Sequence, residues 1–289
     1  MKAIQAMERI EIKKAYPEHV KQHARVNDAY VYSTCPELKG MRLIDVDIAT
    51  AAKLNVRFSV MSGKLDGLFA ISTTCTINPR CLQGMQDPNS PCYYCFAAAT
   101  ASQYNSLREW LENNYRILSG RDLTDNEIHA LCVELAKNKR SRFVRIEFAG
   151  DVGNVTQVRN YIRIVKAGRE YGLYFGIWTK QLDLWDAGIK LEGKPINCTL
   201  IYSAPQTNQT EFPIVNAYNW VDCIFVVANK KEFDKVWNTI AAAGYPMHKC
   251  MCENGSCNNT NICAFCYRPI ARRENNNGMI SVIVEMLRK

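Results

Sequence analysis

Between residues 67 and 245, short apolar β-rich runs alternate with stretches whose apolar residues recur at helical spacing, and this alternation limits the chain to a small set of folds. Strands are expected at Gly67 to Thr74 (GLFAISTT), Arg142 to Ala149 (RFVRIEFA), Leu173 to Thr179 (LYFGIWT), Cys198 to Ser203 (CTLIYS) and Val221 to Ala228 (VDCIFVVA). Helices are expected where Leu107, Trp110, Leu111 and Leu118, then Ile128, Leu131, Cys132 and Leu135, then Val158, Tyr161, Ile162 and Val165, then Phe233, Val236, Trp237 and Ile240 share one face. Thr124 and Glu127 have the spacing of a capping box, in which each side chain satisfies a free amide at a helix start. Strands separated by helices run parallel and are joined by right-handed crossovers. The fold class is therefore α/β, a partial or complete β/α barrel, with a doubly wound open sheet as the alternative because spacing alone does not separate the two. In RFVRIEFA, alternation places Val144, Ile146 and Phe148 on one face and Arg145 and Glu147 on the other. That suits a strand with helices on one side and a polar interior on the other, or else an Arg145–Glu147 ion pair with no chemical role.

No internal repeat or long low-complexity linker interrupts the chain, so a single α/β domain over 1–289 is expected. Within it, 1–66 reads as an N-terminal extension packing on the barrel, 67–245 as the β/α core and 246–289 as a cysteine-rich C-terminal segment. No window approaches the roughly 18 consecutive apolar residues that cross a bilayer, and MKAIQAMERIEIKKAYPEH is too charged for a signal peptide. The expected location is the cytosol, or the host cytosol if the chain is phage-encoded. Thiols stay reduced there, so 13 cysteines point to metal ligation before disulfides.

Nine of those cysteines fall in two groups. The first, CTINPRCLQGMQDPNSPCYYC, contains Cys75, Cys81, Cys92 and Cys95 in a stretch whose Pro, Asn and Gly content predicts irregular structure. The second holds Cys250, Cys252, Cys257, Cys263 and Cys266, where Cys257, Cys263 and Cys266 complete a tetrad with either Cys250 or Cys252. Four thiolates hold one Zn²⁺ or one [4Fe–4S] cluster. Zinc sites usually pair two short knuckles, whereas the first group has only one C-x2-C half, so two [4Fe–4S] clusters are favoured and zinc is the alternative. Cys132, Cys198 and Cys223 lie on apolar faces and read as structural. Cys35 receives no role, and among the histidines only His248, two residues before Cys250, could replace a thiolate, although a pocket-lining or exposed histidine is the favoured reading with five cysteines nearby.

Reactive groups in β/α barrels gather at the carboxyl ends of the strands. Asp151, Thr179, Lys180, Ser203 and Asn229 follow strand runs here and, with Arg145 and Glu147, form the candidate pocket facing the first cysteine group. Each strand-end residue has an alternative reading as a cap or turn. Lys180 is the best placed to balance an anionic thiolate cluster. Tyr93, Tyr94 and Tyr267 are positioned to shield one from water. The net charge of +8 and the run KNKRSRFVR permit nucleic-acid binding, but Arg159, Arg163 and Lys166 have the spacing of a solvated helix face, so it is not favoured.

A cysteine loop directly after the first strand resembles the radical S-adenosylmethionine enzymes, yet the three-cysteine C-x3-C-x2-C loop of that family is absent. The first-group cysteine pattern ending CYYC, with VRIEFAGDVGN, YFGIWTKQ and the terminal CAFCY, more closely resembles the phage gene product 88 family over residues 67 to 267. The resemblance implies cluster binding and a phage or prophage origin, and carries no activity with it. Expected functions are therefore an iron–sulfur protein with a redox or small-molecule role at the barrel mouth, a non-catalytic binding protein for a host protein or nucleic acid with structural clusters, or an atypical radical enzyme.

Overall fold

The computed structural model describes residues 42–47, 53–61, 65–73, 78–250, 257, 265–267 and 280–287. Their strands form one sheet: β1 (Arg42–Asp47), β2 (Lys53–Val60), β3 (Phe69–Ile71), β4 (Phe143–Ile146), β5 (Tyr174–Thr179), β6 (Cys198–Ser203), β7 (Cys223–Asn229), β8 (Met247–Lys249) and β9 (Ser281–Leu287). Their spatial order is β1-β2-β3-β4-β5-β6-β7-β9-β8. From β3 onward every neighbouring pair is parallel, whereas β1 and β2 form an antiparallel hairpin that pairs antiparallel with β3. The fold is α/β, as expected, but the sheet is open, with β1 and β8 at its edges. From β3 to β7 spatial order follows chain order, and the strand-order reversal of a doubly wound sheet is missing there.

The helices are α1 (Pro79–Gln86), α2 (Phe96–Gln103), α3 (Asn105–Gly120), α4 (Asp125–Ala136), α5 (Val155–Gly168), α6 (Leu182–Glu192) and α7 (Phe233–Ala242). The capping box at the start of α4 is formed, with Glu127 N donating to Thr124 Oγ1 at 3.3 Å and Thr124 N donating to Glu127 Oε2 at 2.8 Å. Much of the first cysteine group from Asn78 onward is helical and not irregular. Pro79 opens α1, where its missing amide costs no hydrogen bond, and Ser90 caps a 3-10 turn over Pro91–Tyr94 that leads directly into α2. Pro and Asn therefore mark helix starts in this segment.

The two sheet faces bury different things. Val144, Ile146, Phe175, Ile177, Leu200, Ile224, Val226, Val282 and Val284 join Leu131, Ile162, Trp185 and Ile240 in a core shared with α4 to α7. On the opposite face, Ala70, Ile201, Cys223 and Ile283 pack with α2, the start of α3, Cys257, Cys266 and Tyr267, while Cys92, Cys95 and Cys250 lie against the same cluster. Cys132 and Cys198 are buried in the first core, in keeping with structural roles. None of the helices among the described residues is long and apolar enough to cross a membrane.

Candidate functional site

Because β3 to β7 and β9 are parallel, their carboxyl ends lie along one edge of the sheet, and the first cysteine group leaves that edge after β3. Asn78 ties the group down: its Nδ2 donates to the carbonyls of Asp151 at 3.0 Å and Val152 at 3.2 Å, in the loop after β4. A second tie comes from the loop after β6, where Thr207 N donates to Asn89 O at 2.7 Å and Gln206 Nε2 to Asp87 Oδ2 at 2.9 Å. Cys81 and Gly84 are three residues apart on α1 and so share a face. The Cys92 side chain packs on that face, since a Cβ on Gly84 would lie 3.1 Å from Cys92 Cβ and 3.5 Å from Cys92 Sγ. Gly84 is therefore what lets the Cys92 thiol approach the helix carrying Cys81.

Four strand-end residues expected to form a pocket do converge. Asp151, buried, accepts from Thr179 Oγ1 at 2.8 Å and from the Lys180 amide at 2.7 Å, and its own loop closes through the Val152 amide at 2.8 Å. The Lys180 ammonium donates to Ser203 Oγ at 3.2 Å. Desolvation alone would depress the Lys180 ammonium, but the charges of Cys92, Asp151, Cys81 and Cys95 outweigh it and hold the group above its ordinary value. Three thiols of the first group thus act on one ammonium. Asn229 stands apart: its backbone amide donates to Asn208 Oδ1 at 2.8 Å and its carbonyl accepts from Glu232 N at 2.9 Å, the contacts of a turn after β7.

Glu147 and Arg145 depart from the expected alternation. β4 ends at Ile146, and Glu147 adopts φ 59°, a left-handed conformation that is strained for a residue with a Cβ. This turn sends Glu147 away from the face Arg145 occupies and brings Phe148 onto the cysteine-bearing face instead of beside Val144 and Ile146. The two side chains are therefore not an ion pair. Glu147 Oε1 accepts from Tyr161 Oη at 2.6 Å, Thr73 Oγ1 at 2.8 Å and Gln157 Nε2 at 3.0 Å, and Oε2 accepts from the Thr73 amide at 3.1 Å. Burial nevertheless pushes its carboxyl up to about 8, against the hydrogen bonds from Tyr161 and Thr73. Thr73 immediately precedes the first cysteine group, and Gly150, at φ 85°, passes so close that a Cβ there would lie 2.8 Å from Thr73 O. Thr73, Asn78, Gln157 and Tyr161 were not legible as site residues. Gln157 and Tyr161, one turn apart on the apolar face of α5, carried the available signal: polar atoms where only packing is needed.

The second cysteine group is anchored by its aromatics. Tyr267 is fully buried over Gly176 of β5, where a Cβ would lie 2.8 Å from its ring. It stacks on Phe143 with ring centroids 5.4 Å apart and meets the edge of Trp178 at 5.9 Å. Phe265 lies parallel to His248 at 4.0 Å, so His248 serves as a stacking surface. Burying such a ring stabilises the docked segment by about 1.5–3 kcal/mol. Tyr93 is half-buried, and the Tyr94 side chain lies outside the described residues. Cys75, Cys252 and Cys263 also lie outside them. Among the described residues no group of three His, Cys, Asp or Glu side chains is arranged to hold a metal ion.

The basic stretch on α5 is neutralised locally. Arg159 pairs with Glu192 at 2.9 Å and Asp122 at 3.0 Å, Arg163 pairs with Asp125 at 2.8 Å, and Lys166 donates to the Glu192 carbonyl.

Compared with known proteins, the chain matches a family model described as Gene product 88 over residues 31–269. No curated protein and no solved structure matches it.

Proposed function

The chain belongs to the phage gene product 88 family, and from that membership and the site geometry we propose that it is an iron–sulfur protein with a redox or small-molecule role at the strand ends. Cys75, Cys81, Cys92 and Cys95 would hold one [4Fe–4S] cluster; Cys257, Cys263 and Cys266, with Cys250 or Cys252, would hold a second. The observation that carries this reading is the placement of Lys180, partly buried at the strand ends with its amide on Asp151 and its ammonium on Ser203, where Cys92, Cys81 and Cys95 in thiolate form raise it. A charge taken out of water needs opposite charge beside it, and a thiolate-ligated cluster provides that. The donor set also fits in kind, since soft thiolates suit iron–sulfur clusters as they suit zinc. Zinc remains the alternative occupant.

When bound, such a cluster supplies reversible one-electron transfer. The residues of the chain divide the supporting work. Lys180 balances the thiolates, Asp151 fixes the Lys180 backbone, Asn78 holds the first cysteine group over the strand ends, and Tyr267 closes one side to water. The ascending order of β3 to β7 supports a barrel-like curvature that would bring both cysteine groups over one cavity. Four thiolates on one cube leave no iron open, which argues against cleavage of S-adenosylmethionine there. The protein would act in the host cytosol.

A non-catalytic role for the second cluster is favoured by one observation: Tyr267 and Phe265 dock its segment on β5 and β8, so a cluster there would staple the C-terminal segment to the sheet. The paired arginines of α5 make nucleic acid a weaker partner than a small molecule or host protein. Anaerobic purification with iron and acid-labile sulfide analysis tests the reading. Two clusters give about eight irons and eight sulfides per chain. Zinc without sulfide would refute it.

A further inference from the structure

Arg145 differs from the paired arginines of α3 and α5. Arg108 faces Glu112 at 3.9 Å, and Arg159 and Arg163 hold the carboxylates described above. Arg145 lies over the Trp178 ring, with its guanidinium carbon 4.0 Å from the centroid, and its buried Nε has no hydrogen-bond acceptor among the described residues. No carboxylate among the described residues pairs with it. Register puts it in a row: Ala70 pairs with Arg145, Arg145 with Gly176, and Gly176 with Thr199. Paired residues of parallel strands project to the same side, so Arg145 and Thr199 both belong to the cysteine-bearing face. Thr199 is fully buried and its Oγ1 also lacks a partner among the described residues. Buried polar groups are normally satisfied, and each one left unmade is destabilising. The Tyr267 ring covers Gly176 and so screens Thr199 from Arg145, which leaves the Arg145 guanidinium, on the face that carries the thiols and Lys180, as the place for a polar ligand.

We propose that Arg145 receives the carboxylate of a small organic anion bound on this face beside the Trp178 and Tyr267 rings. This deepens the reading above by naming the ligand class, and it rests on that reading for its redox setting. Nε–H and a neighbouring Nη–H of the planar guanidinium present a side-on fork that matches the two oxygens of a carboxylate, and contact with the Trp178 ring helps hold it in place. The rings of Trp178, Phe143 and Tyr267 would form the apolar wall beside the carboxylate, which favours an anion with a flat or apolar body.

The test is equilibrium binding of benzoate, with inorganic phosphate for comparison, to full-length protein purified without oxygen, with iron and sulfide counted on the same sample. Saturable benzoate binding is expected, stronger than phosphate, and weakened roughly tenfold or more in Arg145→Gln and less in Arg145→Lys, which keeps charge but loses the fork. Thr199→Val, on the far side of the Tyr267 ring from Arg145, serves as the control and should bind benzoate as the wild type does. Absence of saturable binding by the wild-type protein with its clusters present overturns this inference alone. Binding that persists unchanged in both Arg145 variants, shown to be folded by circular dichroism, overturns it equally. Arg145-dependent binding by protein that carries no iron or sulfide would uphold the anion site and remove the cluster reading.

Discussion

The Lys180 backbone amide donates to Asp151 Oδ2 at 2.7 Å, so the residue whose ammonium faces the first thiol group is fixed by the loop of the neighbouring strand. That arrangement separates two jobs: Asp151 sets where the Lys180 backbone goes, and the Lys180 side chain sets the charge of the site. Removing the charge should stabilise the more oxidised form of any anionic cluster beside it. Lys180→Met is expected to lower the midpoint potential of one cluster by on the order of tens of millivolts while leaving the other unchanged. Redox titration followed by electron paramagnetic resonance reads this. An unshifted potential in a fully loaded variant would mean that Lys180 does not sense the cluster.

Asp151→Ala should act on folding as well as on the site. It leaves the Val152 and Lys180 amides without their carboxylate acceptor and removes one partner of Thr179. Each buried group left unmade costs about 1–3 kcal/mol, so a total loss of about 3 kcal/mol is expected. The midpoint of urea unfolding checks it, with Asp151→Asn falling between wild type and the alanine variant.

Glu147 gives a pH dependence of defined sign. Burial raises its folded carboxyl from an ordinary 4.5 to about 8, and the neighbouring Asp151 carboxyl is raised in the same direction, also chiefly by burial. Between those values the unfolded chain has released a proton that the folded protein keeps, so this contribution to stability is full below 4.5 and is lost as pH rises through 8. Glu127 has the opposite sign. Its hydrogen bonds from Arg121 lower it from 4.5 to about 2, so its contribution is present above 4.5 and is lost as pH falls toward 2. Glu147→Gln should flatten the decline from pH 5 to 8 in a denaturation series and leave the acid limb intact. An unchanged alkaline slope would show that Glu147 is ionised in the folded protein.

Gly84 and Gly176 should separate the two cysteine groups. Gly84→Ala puts a methyl 3.1 Å from Cys92 Cβ, and Gly176→Ala puts one 2.8 Å from the Tyr267 ring. The first is expected to reduce metal at the first group alone. The second should loosen the C-terminal segment at a cost of about 1–3 kcal/mol, because overpacking forces the ring or the strand to shift. Iron content and thermal unfolding of the two variants, compared side by side, distinguish these effects.

The sequence was most informative where period and position agree. Apolar alternation located β4 to β7, and Asp151, Thr179, Lys180 and Ser203 converge because residues that follow parallel strands share one edge. It was least informative where long-range pairing decides. The strand SVIVEML is inserted between β7 and β8 from more than 50 residues further along the chain than β7, and KLNVRFSV joins the sheet antiparallel. The departure at Glu147 is a single backbone rotation, invisible to a rule that counts alternate residues. In the first cysteine group, Pro79 and Pro91 punctuate helical turns that composition alone read as loop.

What the two cysteine groups hold decides the function of the protein. Anomalous diffraction at the iron edge from crystals grown without oxygen should give two compact iron peaks, one beside Cys81, Cys92 and Cys95 near the Lys180 ammonium and the other beside Cys257 and Cys266. Signal at the zinc edge only, or sulfur atoms joined to one another with no metal between them, would contradict it.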